Sequence, residues 1–299
     1  MADERLPAID AQLVGELIGS QFPQWSELAI KPVASSGWDN RTFHLGESMS
    51  VRLPSAAHYA GAVAKEQKWL PWLAQQLSTL PMRTVQIPEP LAQGVPTPRF
   101  PLPWSVYRWL DGEVASHDRI DNLDQFARDV AQFLVALRRL DAAGGPVRKL
   151  RGGSLAIYQE QVRAALTKLD GRIDRARAAA IWQAAMAMPI AEAPVWYHGD
   201  VAVGNLLVKQ GRLSAVIDFG GLGVGDPACD MVIAWTFLEP QSRAEFRSTM
   251  DVGDAIWARG RGWALWKAIV ILAGLIETNE REAASAGYAL QQLLQDLSD

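Results

Sequence analysis

The fold of this chain is indicated by residues 196–230, which read W-Y-H-G-D-V-A-V-G-N-L-L-V-K-Q-G-R-L-S-A-V-I-D-F-G-G-L-G-V-G-D-P-A-C-D. Two apolar runs, Leu206 to Val208 and a second ending at Ile217, flank the turn-forming residues 209–212. This pattern predicts a short β-hairpin between two polar loops. Because a hairpin returns the chain alongside itself, Asn205 before its first strand and Asp218 after its second are expected to lie side by side.

The residue types at these positions suit phosphoryl transfer. A carboxylate and an amide oxygen are ligands that Mg²⁺ accepts, which leaves Asp200 on the preceding loop to face a substrate hydroxyl. An orienting aspartate with an asparagine and a second aspartate for metal are the parts of a kinase site. Taken singly, such residues are more often ordinary turn or cap residues. Their combination at this spacing favours the catalytic interpretation.

The stretch resembles the catalytic core of the aminoglycoside phosphotransferase family. This family is the antibiotic-kinase branch of the protein-kinase-like fold, which also includes macrolide and choline kinases. The shared motifs are H-G-D followed by N at 198–205, I-D-F-G at 217–220 and G-D-P-A-C-D-M at 225–231. The resemblance extends from about residue 30 to about residue 275 and is looser outside these motifs. The G-W-D-N and R-L-P segments near residues 40 and 50 resemble the macrolide-kinase-like members.

The resemblance implies an α+β, two-lobed fold. Residues 1–110 would form a nucleotide-binding lobe with a small antiparallel sheet, and residues 111–299 a larger, mainly helical lobe for catalysis and substrate binding. Within the second lobe, Asp230 to Phe237 and Ala255 to Thr278 are predicted to be helices. The first of them begins at the end of the G-D-P motif, where Asp226 and Asp230 are expected to anchor the loop and the helix start.

Each motif position then receives a role. Asp200 would orient and deprotonate the acceptor hydroxyl, and Asn205 and Asp218 would hold Mg²⁺. Arg52 stands where a protein-kinase pattern has a lysine, and its fork can contact nucleotide phosphates in the same way. Glu66 is its expected partner, although the two could also form a plain surface pair.

The remaining nucleotide contacts are weaker predictions. Ser36 and Gly37 lie in a loop between two predicted strands, where kinases cover the nucleotide phosphates with backbone N–H groups. With a single glycine, this loop could equally be a generic hairpin connection. Arg108, Trp109 and Leu110 are expected to form the linker that presents backbone groups to the purine edge. His198 is expected to brace the catalytic loop by hydrogen bonding.

Composition limits the setting in which the protein works. The chain has 299 residues, 49% of them hydrophobic, which suffices for a large core. A net charge of −4 argues against a nucleic-acid partner. The start has no apolar targeting segment, and the apolar run at 268–276 is too short to cross a bilayer, so we expect a cytoplasmic protein without a membrane partner. The single cysteine, Cys229, fits a reducing compartment and is expected to be a small packing residue.

The acceptor is the least defined element of the prediction. We expect ATP or GTP and a small hydroxylated molecule of the aminoglycoside or macrolide antibiotic type. Residues 111–299 hold twenty basic and twenty-four acidic side chains, which suits a polycation, whereas four tryptophans in the last third suit a macrolide ring. These are Trp235, Trp257, Trp263 and Trp266, and the last two are expected to be core.

Two alternatives remain open. One is a kinase of the same fold for a metabolite such as choline, a sugar or an amino alcohol; the other is a nucleotide-binding module without turnover. Arg148, Lys149 and Arg151 are expected to form a solvated loop. Nucleotide preference and oligomeric state are not encoded in any readable motif.

Overall fold

A computed structural model describes residues 6–34, 37, 39–80, 83–147, 150–278 and 280–296, and all of these but residue 281 with their side chains. The chain divides into two compact units. The first comprises residues up to 80, residues 84–112 and residues 215–220; the second comprises residues 81–83, 113–214 and 221–299. The assignment of nucleotide binding to residues 1–110 and of catalysis to residues 111–299 stays a prediction.

The first unit is built on a five-stranded antiparallel sheet and two helices. The strands are β1 (Ile30–Pro32), β2 (Asn40–Leu45), β3 (Met49–Pro54), β4 (Pro90–Gly94) and β5 (Trp104–Arg108), and the helices are α1 (Ala11–Gln21) and α2 (Gly61–Ser78). The strand order in the sheet is β1-β2-β3-β5-β4. Helix α1 begins at Asp10, whose carboxylate accepts the backbone N–H of Leu13 at 2.9 Å. The buried face of α1 packs with β2, β3 and β5 in one apolar core.

The second unit is mainly helical. Its helices are α3 (Leu123–Arg138), α4 (Gln159–Lys168), α5 (Arg175–Ala187), α6 (Ile233–Thr236), α7 (Pro240–Met250), α8 (Asp254–Leu272) and α9 (Glu280–Gln295). Its short strands are β6 (Glu113–Val114), β7 (Val195–Tyr197), β8 (Leu206–Lys209), β9 (Arg212–Val216) and β10 (Gly223–Gly225); the last residues of β9 belong to the first unit. β6, β8 and β9 form one small sheet, and β7 pairs with β10.

The predicted hairpin is present as β8 and β9. Gln210 and Gly211 between the strands have φ angles of 53° and 69°, which is the left-handed pair that a two-residue hairpin turn requires. The predicted α+β class, with a small antiparallel sheet and a larger helical part, is confirmed. Within the described residues, no helix has the length and apolar character needed to cross a membrane.

Two helix predictions in the second unit are wrong in extent. The helix expected to reach Thr278 ends at Leu272, because Gly274 adopts φ +59° and its N–H donates to Ile271 O at 2.8 Å. The helix expected from Asp230 is a 3-10 segment, Pro227–Val232, followed by the single turn α6. Asp226 caps that segment through the N–H of Ala228 at 3.2 Å.

Candidate active site

The H-G-D loop of the second unit is held by one buried carboxylate. The two oxygens of Asp230 accept the backbone N–H groups of His198 at 2.8 Å and Gly199 at 2.7 Å. Burial raises the pKa of Asp230, and the charge of His198 and these two N–H groups act against that rise. Gly199 has φ +85°, and a Cβ there would lie 2.4 Å from the carbonyl oxygen of Gly221. The positive φ and the lack of space for a Cβ atom mean that only glycine fits this position.

Asp200 and Asn205 are in direct contact. The amide nitrogen of Asn205 donates to the backbone oxygen of Asp200 at 2.9 Å and to its Oδ2 at 3.0 Å. Since both partners are acceptors, the NH₂ group of Asn205 must face them, and its amide oxygen points elsewhere. The backbone N–H of Asp200 donates to Nδ1 of His198 at 3.2 Å, which gives the buried His198 the bracing role expected for it.

Two cations face the other carboxylate oxygen of Asp200. Arg151 donates from Nη1 to Oδ1 at 2.9 Å, and Lys267 Nζ lies 3.6 Å from the same oxygen. Burial alone would raise the pKa of Asp200, but the charges of Lys267 and Arg151 outweigh it and hold the pKa well below its usual range. The side chain is still 32% exposed. Asp200 is therefore an ionised, accessible carboxylate at neutral pH.

Arg151 is not the solvated residue that its sequence context indicates. Its backbone oxygen accepts the hydroxyl of Tyr197, and its side chain is directed at the catalytic loop, where it also donates to Gly199 O. Gly152 next to it has φ +71°, and a Cβ there would lie 2.1 Å from the Tyr197 ring. Gly152 thus allows the Arg151 loop to pack closely on the Tyr197 ring, beside the H-G-D loop.

Asp200 lies at the wall of a pocket in the second unit. The pocket is lined by Arg151, Asp200, Val201, Cys229, Val232, Trp263, Trp266 and Lys267. Trp263 is buried, as expected for core, whereas Trp266 is only half-buried, and both also form a pocket wall. The Tyr158 ring packs on them with centroid distances of 5.3 Å and 4.1 Å. Burial raises the pKa of the Cys229 thiol well above its ordinary value, in keeping with a packing role.

A buried ion pair lies between helix α8 and the loop at Asp226. Arg259 donates from Nε to Asp226 Oδ2 at 2.8 Å and from Nη2 to Oδ1 at 3.1 Å, with side chains 3% and 1% exposed. The backbone N–H of Asp226 donates to Gly152 O at 2.9 Å. The pair therefore connects helix α8 to the loop that carries Arg151.

A second charged cluster lies within the first unit. Arg52 on β3 places Nη1 3.7 Å from Glu66 of α2 and Nη2 3.5 Å from Asp218 Oδ1. Glu66 is 4% exposed and accepts the hydroxyl of Tyr107. Burial raises the pKa of Glu66, against the lowering effect of Arg52. Burial would lower the pKa of Arg52, but Glu66 and Asp218 raise it, so the guanidinium stays charged. Arg52 and Glu66 are thus a buried pair and not a surface one.

Asp218 adopts a conformation that few side chains accept. Its φ is +66°, in the left-handed region where Asp and Asn are enriched among non-glycine residues. Lys65 of α2 donates to the backbone oxygen of Gly220 at 2.6 Å, and the N–H of Gly220 lies 3.4 Å from Asp218 Oδ1. The D-F-G segment is therefore bound to α2 through Lys65 and to β3 through Arg52.

The other predicted nucleotide contacts are only partly described. Ser36 lies outside the described residues, and Gly37 is exposed, with its carbonyl accepting Arg41 Nη1 at 3.1 Å. The side chain of Arg108 forms an exposed pair with Glu89 at 2.6 Å. The N–H of Trp109 donates to Ser48 O at 2.8 Å, so that donor is already in use, and Leu110 is half-buried. The nucleotide roles of these residues stay predictions.

The donor chemistry of the two predicted metal ligands fits Mg²⁺. Asn205 has its amide oxygen directed away from Asp200, and Asp218 has a carboxylate with 27% exposure. Asn205 belongs to the second unit and Asp218 to the first, and their joint role stays a prediction. Among the described residues, no three His, Cys, Asp or Glu side chains form a metal cluster. Mg²⁺ needs only one or two protein ligands when phosphate oxygens and water molecules fill the rest of its coordination shell.

Sequence reasoning missed three cations at these sites, namely Lys65, Arg151 and Lys267. Lys65 directly precedes Glu66, so its place on α2 could have been noticed. Arg151 and Lys267 come from a loop and a helix far from the H-G-D motif in sequence, and they carry no spacing signal.

The profile of the phosphotransferase enzyme family matches residues 30–263. Aminoglycoside 3'-phosphotransferase of Escherichia coli is 37% identical over 60 residues, which is 20% of this chain and 22% of the length of that curated relative.

Two solved structures share the fold. The GDP complex of wild-type aminoglycoside 2'-phosphotransferase-IIIa matches with a TM-score of 0.73 at 18% identity, covering 96% of this chain and 99% of that one. The apoenzyme of macrolide 2'-phosphotransferase MphH from Brachybacterium faecium matches with a TM-score of 0.57 at 19% identity, covering 95% and 97%. The kinase-like fold and the family resemblance inferred from the motifs are confirmed.

Proposed function

The chain belongs to the phosphotransferase enzyme family, and from that membership we propose that it transfers the γ-phosphoryl group of ATP or GTP to a hydroxyl group of a small molecule. One observation carries the proposal: Asp200 is an ionised, partly exposed carboxylate at a pocket wall, fixed by a loop that Asp230 clamps. A carboxylate so placed can accept the proton of an acceptor hydroxyl.

The roles of the neighbouring residues follow from their contacts. Asn205 holds Asp200 through its amide nitrogen, and its amide oxygen would be available to Mg²⁺, for which the Asp218 carboxylate would be the second protein ligand. Bound Mg²⁺ would neutralise charge on the nucleotide phosphates. Arg52, set by Glu66, would contact phosphate oxygens. Catalysis by this chain is then positioning plus electrostatic stabilisation, which is what phosphoryl transfer needs.

The identity of the acceptor is a separate question. The proteins this chain resembles include an aminoglycoside 2'-phosphotransferase and a macrolide 2'-phosphotransferase, so antibiotics of these two types are the first acceptors to test. A metabolite kinase of the same fold is the second candidate. It is favoured by Arg151 and Lys267, because two cations beside Asp200 are an unfavourable setting for a polycation.

The test is a nucleotide-consumption screen. ATP and GTP are supplied separately with Mg²⁺, and the acceptors are aminoglycosides, macrolides and small hydroxylated metabolites, with product phosphorylation confirmed by mass spectrometry. Asp200→Asn serves as the control that keeps the fold. Turnover of an acceptor by the wild type and not by Asp200→Asn supports the proposal; equal turnover by both contradicts it.

A further inference from the structure

We infer that the acceptor is an alcohol with an apolar body and an anionic group, and that Lys267 binds this anionic group. The inference rests on the proposed function, because it takes Asp200 as the group that faces the hydroxyl. It goes further by naming the charge of the acceptor, which family membership leaves open.

The charge balance of the pocket carries the argument. Of the residues that line it, Arg151 and Lys267 are cationic and Asp200 is the sole carboxylate. Arg151 makes a full hydrogen bond to Asp200 at 2.9 Å. Lys267 Nζ lies 3.6 Å from Asp200 Oδ1, so this ion pair involves no direct hydrogen bond, and its side chain is 31% exposed. The three N–H donors of Lys267 therefore remain suited to a second anion.

The acidic excess of residues 111–299 does not provide carboxylates for a polycation at this pocket. The buried carboxylates of this range are bound inside the fold. Asp129 pairs with Arg212 at 2.7 Å, Asp226 pairs with Arg259, and Asp230 accepts the N–H groups of the H-G-D loop. An ammonium-rich acceptor placed at Asp200 would meet Arg151 and Lys267 first. Like charges brought together in a desolvated site cost binding free energy.

The pocket walls favour an acceptor with an apolar body. Val201, Val232, Trp263 and Trp266 offer aliphatic and aromatic surface next to the carboxylate. An acid with an apolar body satisfies these walls and Lys267 together.

The binding test uses three matched alcohols with the same ring, namely 4-(hydroxymethyl)benzoate, its primary amide and 4-(aminomethyl)benzyl alcohol. Kanamycin is added as a polycation. Dissociation constants are measured by ligand-observed NMR for the wild type, Lys267→Met and Lys168→Met. Lys168 is an exposed residue of α4 outside the pocket lining, so Lys168→Met removes the same net charge away from the site.

The wild type should bind the benzoate about tenfold more tightly than the amide, the worth of one charge-assisted hydrogen bond, and the amine most weakly. Lys267→Met should remove the preference for the benzoate, and Lys168→Met should keep it. Tighter binding of the amine or of kanamycin, no binding of the benzoate, or an unchanged preference in Lys267→Met would each overturn the inference.

A turnover measurement separates this inference from the proposed function. If the ligands bind in the expected order but no acceptor receives a phosphoryl group from ATP or GTP, the proposed function is rejected and the binding site for an acidic ligand remains. Transfer to kanamycin with the same KM in the wild type and Lys267→Met would reject the inference and leave the kinase assignment. An equal loss of kcat for every acceptor, with the binding order unchanged, would assign Lys267 to the transferred phosphoryl group and also reject the inference.

Discussion

The buried pair of Arg259 and Asp226 should be among the most sensitive contacts of the second unit. Arg259→Met would leave the Asp226 carboxylate, 1% exposed, without the two guanidinium donors that lie 2.8 Å and 3.1 Å from its oxygens. Removing one partner of a buried ion pair costs about 3–5 kcal/mol of unfolding free energy, because the remaining charge stays desolvated. The capping bond from Ala228 N–H is retained and offsets only part of that cost.

A second arginine–aspartate pair provides the matched control. Arg247 Nη2 lies 2.6 Å from Asp254 Oδ1, but the Asp254 side chain is 94% exposed, and the guanidinium also lies 5.1 Å from the centre of the Trp257 ring. Arg247→Met should therefore cost no more than about 2 kcal/mol, the loss of an exposed ion pair and one cation–π contact. Urea denaturation at pH 7, followed by tryptophan fluorescence, gives both values under the same conditions.

A double-mutant cycle tests the cause of the loss. If an unpaired charge destabilises Arg259→Met, adding Asp226→Asn should recover about 2 kcal/mol or more, because no buried charge is then left alone. Equal losses in Arg259→Met and Arg247→Met would refute the reasoning. A double variant less stable than both single variants would refute it as well.

Further outcomes follow from the two charged clusters. Asp200→Asn should abolish phosphoryl transfer and leave the nucleotide Kd from calorimetry unchanged, whereas Asp218→Asn should remove the Mg²⁺-dependent part of nucleotide affinity; wild-type turnover in both would contradict the kinase assignment. Arg52→Met should weaken ATP or GTP binding by about 1.5–3 kcal/mol, with Arg52→Lys recovering part, and equal Kd values in all three proteins would remove Arg52 from the nucleotide site. Lys267→Met should lower the unfolding free energy at pH 7 by no more than about 1 kcal/mol, since Asp200 is one-third exposed. Because the folded state depresses the pKa of Asp200, the stabilisation from Lys267 is present above the ordinary carboxyl pKa of about 3.9 and fades as the pH falls below that value. A stability difference between the wild type and Lys267→Met that persists in acid would contradict this assignment. Cys229, whose pKa burial raises, should react with iodoacetamide far more slowly in the native protein than in the urea-unfolded protein, and equal rates would show a reactive thiol.

Local sequence patterns were sufficient for the elements that depend on neighbouring residues. The hairpin after Asn205 follows from two apolar runs around Gln210-Gly211, and the cap of α1 follows from Asp10 three residues before Leu13. The end of α8 also had a local signal, since Gly274 closes it with the bond pattern that glycine favours at a helix C-terminus. The prediction missed it by following apolar periodicity alone.

The charges at the candidate site could not be inferred in the same way. Arg151 pairs with Asp200 from a loop whose Gly152 packs on Tyr197, and that packing contact joins residues 45 positions apart. Lys267 reaches Asp200 because α8 packs against the 3-10 segment Pro227–Val232, whose Asp230 holds the H-G-D loop. The acidic excess of residues 111–299 suggested a site for cations, but its three buried carboxylates are paired inside the fold, and Asp200 is the sole carboxylate among the residues that line the pocket. Net charge reports how many groups exist and not where folding puts them.

The contact between Gly199 and Gly221 has a consequence for any attempt to change what this protein accepts. Each of the two backbones occupies the space where the other would need a side chain: a Cβ on Gly199 would come within 2.4 Å of Gly221 O, and a Cβ on Gly221 within 2.9 Å of His198 O. Randomised libraries aimed at the pocket should therefore leave both positions fixed and place their diversity at Val201, Val232 and Trp266. Selection from a library that includes the two glycines would return glycine at both and waste most of its members on chains that do not fold.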